Sequence, residues 1–272
     1  MAEIKAIVVT GNGTNCEMEM AHACRLGGFE QVDIVFIYEI LSGEVNLEDY
    51  HLLCLPGGFM DGDDLGSAKA SAVMWRFGVT GKNKKLADYL KHFIKAGKLI
   101  LGVCNGFQLL VKLGLLPALN GGYFKQSVTL TLNDSGRFED RWVHLAVGAK
   151  TPCVFLKGLE RLYLPVRHGE GKLIVDANDV LEEIQKKNLA ALRYVNAHGE
   201  ATQKYPANPN GSTDAIAGLC DESGRIFGLM PHPEAFTHYT NFPHWQRYKS
   251  MPEEGQGVAL FRNAFQYLQK NF

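Results

Sequence analysis

The first third of the chain alternates short apolar runs with segments whose apolar residues recur at helical spacing. Residues 4–9 read as a strand, and Thr14-Asn-Cys-Glu17 has the spacing of a capping box opening a helix that ends at Gly27-Gly28. Residues 32–38 and 51–55 are the next apolar runs. Leu86, Tyr89, Leu90, Phe93 and Ile94 then repeat at helical spacing, and Gly97 closes that helix before the apolar run Leu99-Ile-Leu-Gly-Val103. These runs are apolar throughout rather than alternating, which marks strands buried on both faces. Such strands with helices between them build an α/β fold with a doubly wound, mainly parallel sheet.

From about Phe124 the pattern changes. Residues 127–132, 142–147, 162–166 and 172–175 read as shorter strands joined by turns such as Asn133-Asp-Ser-Gly136, which predicts an antiparallel addition to the main sheet. Residues 178–187 read as a helix, and 215–220 and 226–230 as two late strands. Val258, Phe261, Ala264, Phe265 and Leu268 line one face of a closing helix. With no repeat and no linker-like stretch, residues 1–272 read as one domain.

Composition narrows the function classes. The formal net charge is −1, without a basic tail, so no global field recruits nucleic acid or an anionic membrane. No apolar stretch approaches the ~20 residues that span a bilayer. The N-terminus enters an apolar strand directly, without the pattern of a signal peptide, so the expected location is cytoplasmic and reducing. Six cysteines are scattered without a C-x-x-C pair. Five of them, Cys16 included, read as small core residues. The histidines outside the motifs below lack metal-ligand spacing, so no metal site is expected. Gly11-Asn-Gly-Thr14 lacks the remaining residues of a phosphate loop.

Cys104 differs from the other cysteines because of its neighbours. Gly102-Val-Cys104-Asn-Gly106 ends the fourth apolar run and precedes a helical pattern, so the thiol sits on a tight strand-to-helix turn with small residues on either side. A helix starting just after it turns its positive end toward the sulfur and favours the thiolate. A cysteine nucleophile needs a base and a group that orients the base. Pro231-His232-Pro-Glu234 offers both. In an extended segment residues two apart point the same way, and the strand at 226–230 can lie beside the Cys104 strand. Alone, that segment would read as a surface turn. Leu55-Pro-Gly-Gly58 ends another strand, and its exposed N–H groups, with that of Asn105, are candidate oxyanion donors. Alone, it would be a plain glycine turn.

Taken together, Gly102-Val-Cys104-Asn-Gly-Phe-Gln108, Pro231-His-Pro-Glu234 and Pro56-Gly-Gly58 resemble the class I (triad) glutamine amidotransferases, whose fold is flavodoxin-like. Further blocks are similar to one branch, the glutaminase-subunit family of phosphoribosylformylglycinamidine (FGAM) synthases of purine biosynthesis. These are Gly13-Thr-Asn-Cys-Glu17, Gly136-Arg-Phe-Glu-Asp-Arg-Trp142, His168-Gly-Glu-Gly171, Ala207-Asn-Pro-Asn-Gly-Ser212 and Gly228-Leu-Met-Pro-His-Pro-Glu234. The resemblance implies glutamine hydrolysis through Cys104, His232 and Glu234, with Gly58 and Asn105 as the oxyanion hole and Gln108 helping to hold glutamine. It implies no cofactor on this chain, a synthetase partner that carries ATP and magnesium, and a third small subunit in some complexes. It places His168 and Glu170 either near the active site or on the partner surface.

The chain also departs from that family. Ala235 stands where an arginine is usual, and Met60-Asp-Gly-Asp-Asp-Leu-Gly66 replaces a loop that commonly carries tyrosines and an arginine. The segments 75–85 and 238–257 are longer than the family pattern, and within the latter His238-Tyr-Thr-Asn-Phe-Pro-His-Trp245 is aromatic and basic enough for a contact surface or a folded cap. The alternatives are an amidotransferase subunit serving another synthetase, a related cysteine hydrolase, and a non-catalytic regulatory subunit. The hydrolases typically have histidine where Asn105 stands.

Overall fold

The computed structural model describes residues 3–175 and 177–272. The strands and helices of the first half are β1 (Lys5–Thr10), α1 (Glu17–Gly27), β2 (Gln31–Phe36), α2 (Ile37–Ser42), β3 (Leu52–Leu55), α3 (Lys69–Phe77), α4 (Leu86–Lys95), β4 (Leu99–Val103) and α5 (Asn105–Lys112). Those of the second half are β5 (Thr129–Thr131), β6 (Glu139–Val147), β7 (Arg161–His168), β8 (Lys172–Ile174), α6 (Asn178–Lys186), β9 (Ala190–Tyr194), β10 (Ile216–Cys220), β11 (Ile226–Leu229) and α7 (Val258–Asn271).

Nine strands form one sheet in the order β2-β1-β3-β4-β11-β10-β9-β6-β7. The run from β2 through β4 to β11 is parallel, while β10, β9, β6 and β7 continue it in antiparallel register. The expected architecture is therefore present, with the antiparallel addition joined directly to the parallel half. Strand β11 lies parallel to β4 with Leu229 beside Val103, so His232 and Cys104 both follow the carboxyl ends of adjacent strands. Open α/β sheets form their ligand crevices at such ends.

Burial explains the continuous apolar runs: every residue of β3, β4, β10 and β11 is buried. Helices α1 and α7 pack together on the sheet, and α3 packs on α4 and α5. Closely matched surfaces hold α1 to α7. A Cβ on Gly27 would lie 2.6 Å from Cβ of Phe261.

Three sequence expectations need correction. Helix α1 begins at Glu17, two residues later than the capping box implies, and Thr14 does not cap it; its Oγ1 accepts from the Gly11 N–H at 3.1 Å, closing the preceding loop instead. The apolar run 32–38 is not one strand, because Glu39 accepts the Phe36 N–H at 2.7 Å and starts α2 at Ile37. The segments at 127–132 and 172–175 pair with each other as β5 and β8, a separate two-stranded ribbon outside the main sheet. Helix α3 was not anticipated. The segment 238–257 folds as a cap: Phe242 is buried, with Trp142 5.7 Å away edge-on and Tyr163 at the same centroid distance.

Candidate active site

Cys104 stands between β4 and α5 with φ 52° and ψ −106°, a strained conformation for a residue with a side chain. Its N–H donates to the Leu229 carbonyl at 2.8 Å and its own carbonyl accepts from the Gln108 N–H at 3.0 Å, so strand and helix fix it from both sides. Gly106 is required by close approach: a Cβ there would lie 2.6 Å from the Leu55 carbonyl carbon. Cys104 is 6% exposed, and its Sγ is 3.6 Å from the Arg167 carbonyl of β7.

Beyond β11, His232 is 2% exposed and Glu234 3%. His232 Nδ1 lies 2.6 Å from Glu234 Oε1. A carboxylate can only accept here, so Nδ1 carries the proton. The other ring nitrogen, Nε2, is buried without a hydrogen-bond partner among the described residues, and it faces the Cys104 and Cys16 thiols. Burial by itself would lower the His232 pKa. The Glu234 carboxylate outweighs it, aided by the two thiols, and holds His232 protonated well above its ordinary range. An imidazolium is thus kept beside the Cys104 sulfur.

The loop after β3 closes the other side. A Cβ on Gly57 would fall 2.9 Å from His232 Cε1 and 3.4 Å from Cys104 Cβ, so backbone lies directly against the pair. The Asn15 N–H donates to the Gly57 carbonyl at 3.2 Å, and the Phe59 N–H donates to the Gly13 carbonyl at 2.8 Å. These bonds hold the Gly58 N–H without an acceptor among the described residues. The Asn105 N–H, in the first turn of α5, is likewise open. Two unspent donors at the nucleophile are what an oxyanion requires.

Gly58, Cys104, His232 and Glu234 line a cavity of about 420 Å³ together with Asn15, Glu19, Phe59, Asp63, Gln108, Arg167 and Glu170. Gln108 reaches it, although much of its amide is engaged: Oε1 accepts from Asn105 Nδ2 at 3.0 Å and Nε2 donates to the Glu170 carbonyl at 2.6 Å. Asn105 Nδ2 also lies 3.1 Å from Asp63 Oδ2, which ties the unusual 60–66 loop to the nucleophile turn. Burial pushes the Asp63 carboxyl upward, and its bonds from Ala68 and Asn105 only partly offset this.

His168 and Glu170 separate in role. Glu170 lines the cavity and accepts from Ser67 Oγ at 2.8 Å. His168 also lines it but is itself buried, with Nδ1 3.1 Å from Asn133 Oδ1. Burial and the nearby His232 charge lower its pKa to about 3, so it is neutral. Asn133 Oδ1 accepts from the Gly171 N–H at 2.9 Å, and Asn210 Nδ2 donates to the Gly171 carbonyl at 2.8 Å. The Asn-Pro-Asn-Gly-Ser block is therefore a clamp on the loop that carries Glu170.

Sequence reasoning missed several lining residues. Cys16 was read as core, yet it is half-buried on the cavity wall with its thiol donating to Asn15 Oδ1 at 3.2 Å. Ligand atoms of Cys16, His232 and Glu234 lie within 4.8 Å of one another. The short His232–Glu234 hydrogen bond makes the cluster a proton-holding pair beside a thiol. Cys16 and Phe138 carried a faint signal, since they sit in the Gly13–Glu17 and Gly136–Trp142 blocks, whereas Arg167, in strand β7, gave none.

The chain matches the family model of the CobB/CobQ-like glutamine amidotransferase domain over residues 3–268. It is 42% identical over 271 residues to the phosphoribosylformylglycinamidine synthase subunit PurQ of Dehalococcoides mccartyi, covering 99% of this chain and 100% of that protein. It is 39% identical to the PurQ subunit of Methanococcus maripaludis strain C7, covering 98% of each. Among solved structures, PurLQS from Thermotoga maritima matches with TM-score 0.69 and 30% identity, covering 98% of this chain and 100% of the matched chain.

Proposed function

The chain belongs to the CobB/CobQ-like glutamine amidotransferase family, and from that premise we propose that it is the glutaminase subunit of phosphoribosylformylglycinamidine synthase. Cys104 attacks the side-chain amide carbon of glutamine, and the carbonyl oxygen becomes an oxyanion held by the Gly58 and Asn105 N–H groups. His232 delivers its Nε2 proton to the leaving nitrogen as the C–N bond breaks, which releases ammonia and leaves a γ-glutamyl thioester on Cys104. A water then gives its proton back to Nε2 and attacks the thioester, and glutamate leaves as the thiolate is restored. Glu234 keeps Nδ1 protonated and the ring aimed at the sulfur through both steps. Gln108 offers its remaining amide hydrogen to the bound glutamine.

The observation that carries this reading is the strained Cys104 turn facing a buried, hydrogen-bonded His232–Glu234 pair. The pathway rests on near full-length similarity to PurQ subunits. The ammonia passes to a synthetase subunit, which holds ATP and magnesium and converts formylglycinamide ribonucleotide to its amidine. A third small subunit completes the assembly, as the name of the Thermotoga maritima complex indicates for that protein. A hydrophobic core running from Ile4 to Leu268 supports reading residues 1–272 as one domain. No helix among the described residues is long and apolar enough to cross a membrane; a cytoplasmic location is part of the proposed reading.

The test is Cys104→Ala in the assembled enzyme. Glutamine-dependent amidine formation should vanish while added ammonium still supports it. Equal loss of both activities would overturn the assignment of Cys104.

A further inference from the structure

Free glutamine brings a carboxylate and an ammonium group into the cavity as well as its amide. The cavity wall is strongly acidic, with Glu19, Asp63, Glu170 and Glu234 on it. Three of these suit an ammonium group; Glu234 is engaged with His232. An unopposed carboxylate would be repelled from such a wall. Among the lining residues Arg167 alone has a permanently positive side chain.

The placement of Arg167 fits the opposite charge. Its main-chain carbonyl is 3.6 Å from Cys104 Sγ, so the residue is anchored at the nucleophile. It stands opposite Asp140 across the β6–β7 ladder, the usual position for a cross-strand ion pair. No such pair forms: the guanidinium has no hydrogen bond or ion pair with any described residue. The span from the amide carbon of glutamine to its α-carboxylate carbon is about 5 Å, four C–C bonds of about 1.5 Å each. An arginine rooted beside the attacked carbon can cover that distance with its flexible side chain.

We propose that Arg167 binds the α-carboxylate of glutamine and thereby sets specificity for the free amino-acid amide. This rests on the glutaminase reading above. The planar guanidinium grips the carboxylate through two parallel N–H···O bonds, and the acidic wall receives the α-ammonium. Arg167 touches only the part of the substrate that does not react, so it contributes to binding more than to the chemical step.

The experiment uses the complete synthase complex and compares wild type, Arg167→Ala and Arg167→Lys. Substrates are glutamine and 4-aminobutanamide, which is glutamine without its α-carboxylate. Arg167→Ala should raise the KM for glutamine at least tenfold with kcat little changed, and Arg167→Lys should raise it less. The preference for glutamine over 4-aminobutanamide should fall by the same factor in Arg167→Ala, and ammonium-dependent synthesis should be unaltered. An unchanged KM and an unchanged preference would overturn the proposal, as would equal losses for both amides, the mark of a merely structural effect. Absence of glutamine hydrolysis in the wild-type complex would overturn the functional reading itself, and the anchor with it.

Discussion

Replacing Glu234 with Gln removes the charge that holds His232 protonated while keeping the size of the side chain. Both residues are almost fully buried and 2.6 Å apart, and Glu234 Oε2 has no hydrogen-bond partner among the described residues. The imidazolium therefore depends chiefly on the Glu234 carboxylate, with little screening by water. A hydrogen bond to such a charged group contributes about 1.5–3 kcal/mol, which corresponds to roughly one to two pKa units at 1.36 kcal/mol per unit. Wild-type His232 is raised, so it stays charged to higher pH than a free imidazole. In Glu234→Gln the alkaline limb of kcat against pH should move down by roughly one to two units, and activity above neutral pH should fall about 10- to 100-fold. The same sign governs stability. The pair's stabilisation is complete below the ordinary histidine pKa of about 6.5 and is lost as pH rises through the raised folded value, so the variant should lose this alkaline dependence. The assay is glutamate release by the assembled enzyme across pH, alongside urea unfolding of the chain. Superimposable profiles for variant and wild type would refute the argument.

Two further substitutions test the frame around the site. Gly106→Ala would place a methyl group 2.9 Å from Leu55 Cβ and closer still to the Leu55 backbone, so α5 must shift away from β3; a loss of about 1–3 kcal/mol in urea unfolding is expected, and unchanged stability would contradict the close approach. Asn210→Ala leaves the Gly171 carbonyl without its 2.8 Å donor and frees the loop that carries Glu170. It should cost about 1–3 kcal/mol in unfolding and raise the KM for glutamine, and an unaltered KM would show that the clamp does not shape the cavity.

Much of the candidate site was legible because the chemistry proposed for it forces local sequence. A strained turn between a buried strand and a helix requires glycine two positions to either side of Cys104, and a histidine beside a carboxylate two residues away fits in four letters, Pro231-His-Pro-Glu234. The parallel half of the sheet was legible for a similar reason: β3 and β4 are buried on both faces and leave continuous apolar runs. Pairing was not. Whether residues 127–132 join the main sheet or pair with 172–175 depends on partners more than 40 positions away, which local pattern does not encode. The start of α2 was hidden because Phe36 and Ile37 are as apolar as the strand before them, and one hydrogen bond from the Phe36 N–H to Glu39 decides the break. Cavity walls such as Cys16 and Arg167 were hidden too, since a side chain becomes functional there through the fold rather than its neighbours. Ala235 and the 60–66 loop looked like losses at the site mouth. The loop nevertheless binds the nucleophile turn through Asp63 and Asn105.

The proposed role of this chain is to make ammonia from glutamine for a partner synthetase. The most direct measurement is glutamate release from glutamine by the purified chain alone, and again with the synthetase, formylglycinamide ribonucleotide and ATP. With the amide nitrogen isotopically labelled, the label should appear in the amidine, and hydrolysis should rise sharply when the full set of partners is present. A folded chain in a demonstrated complex that releases no glutamate, or leaves the amidine unlabelled, would contradict the account.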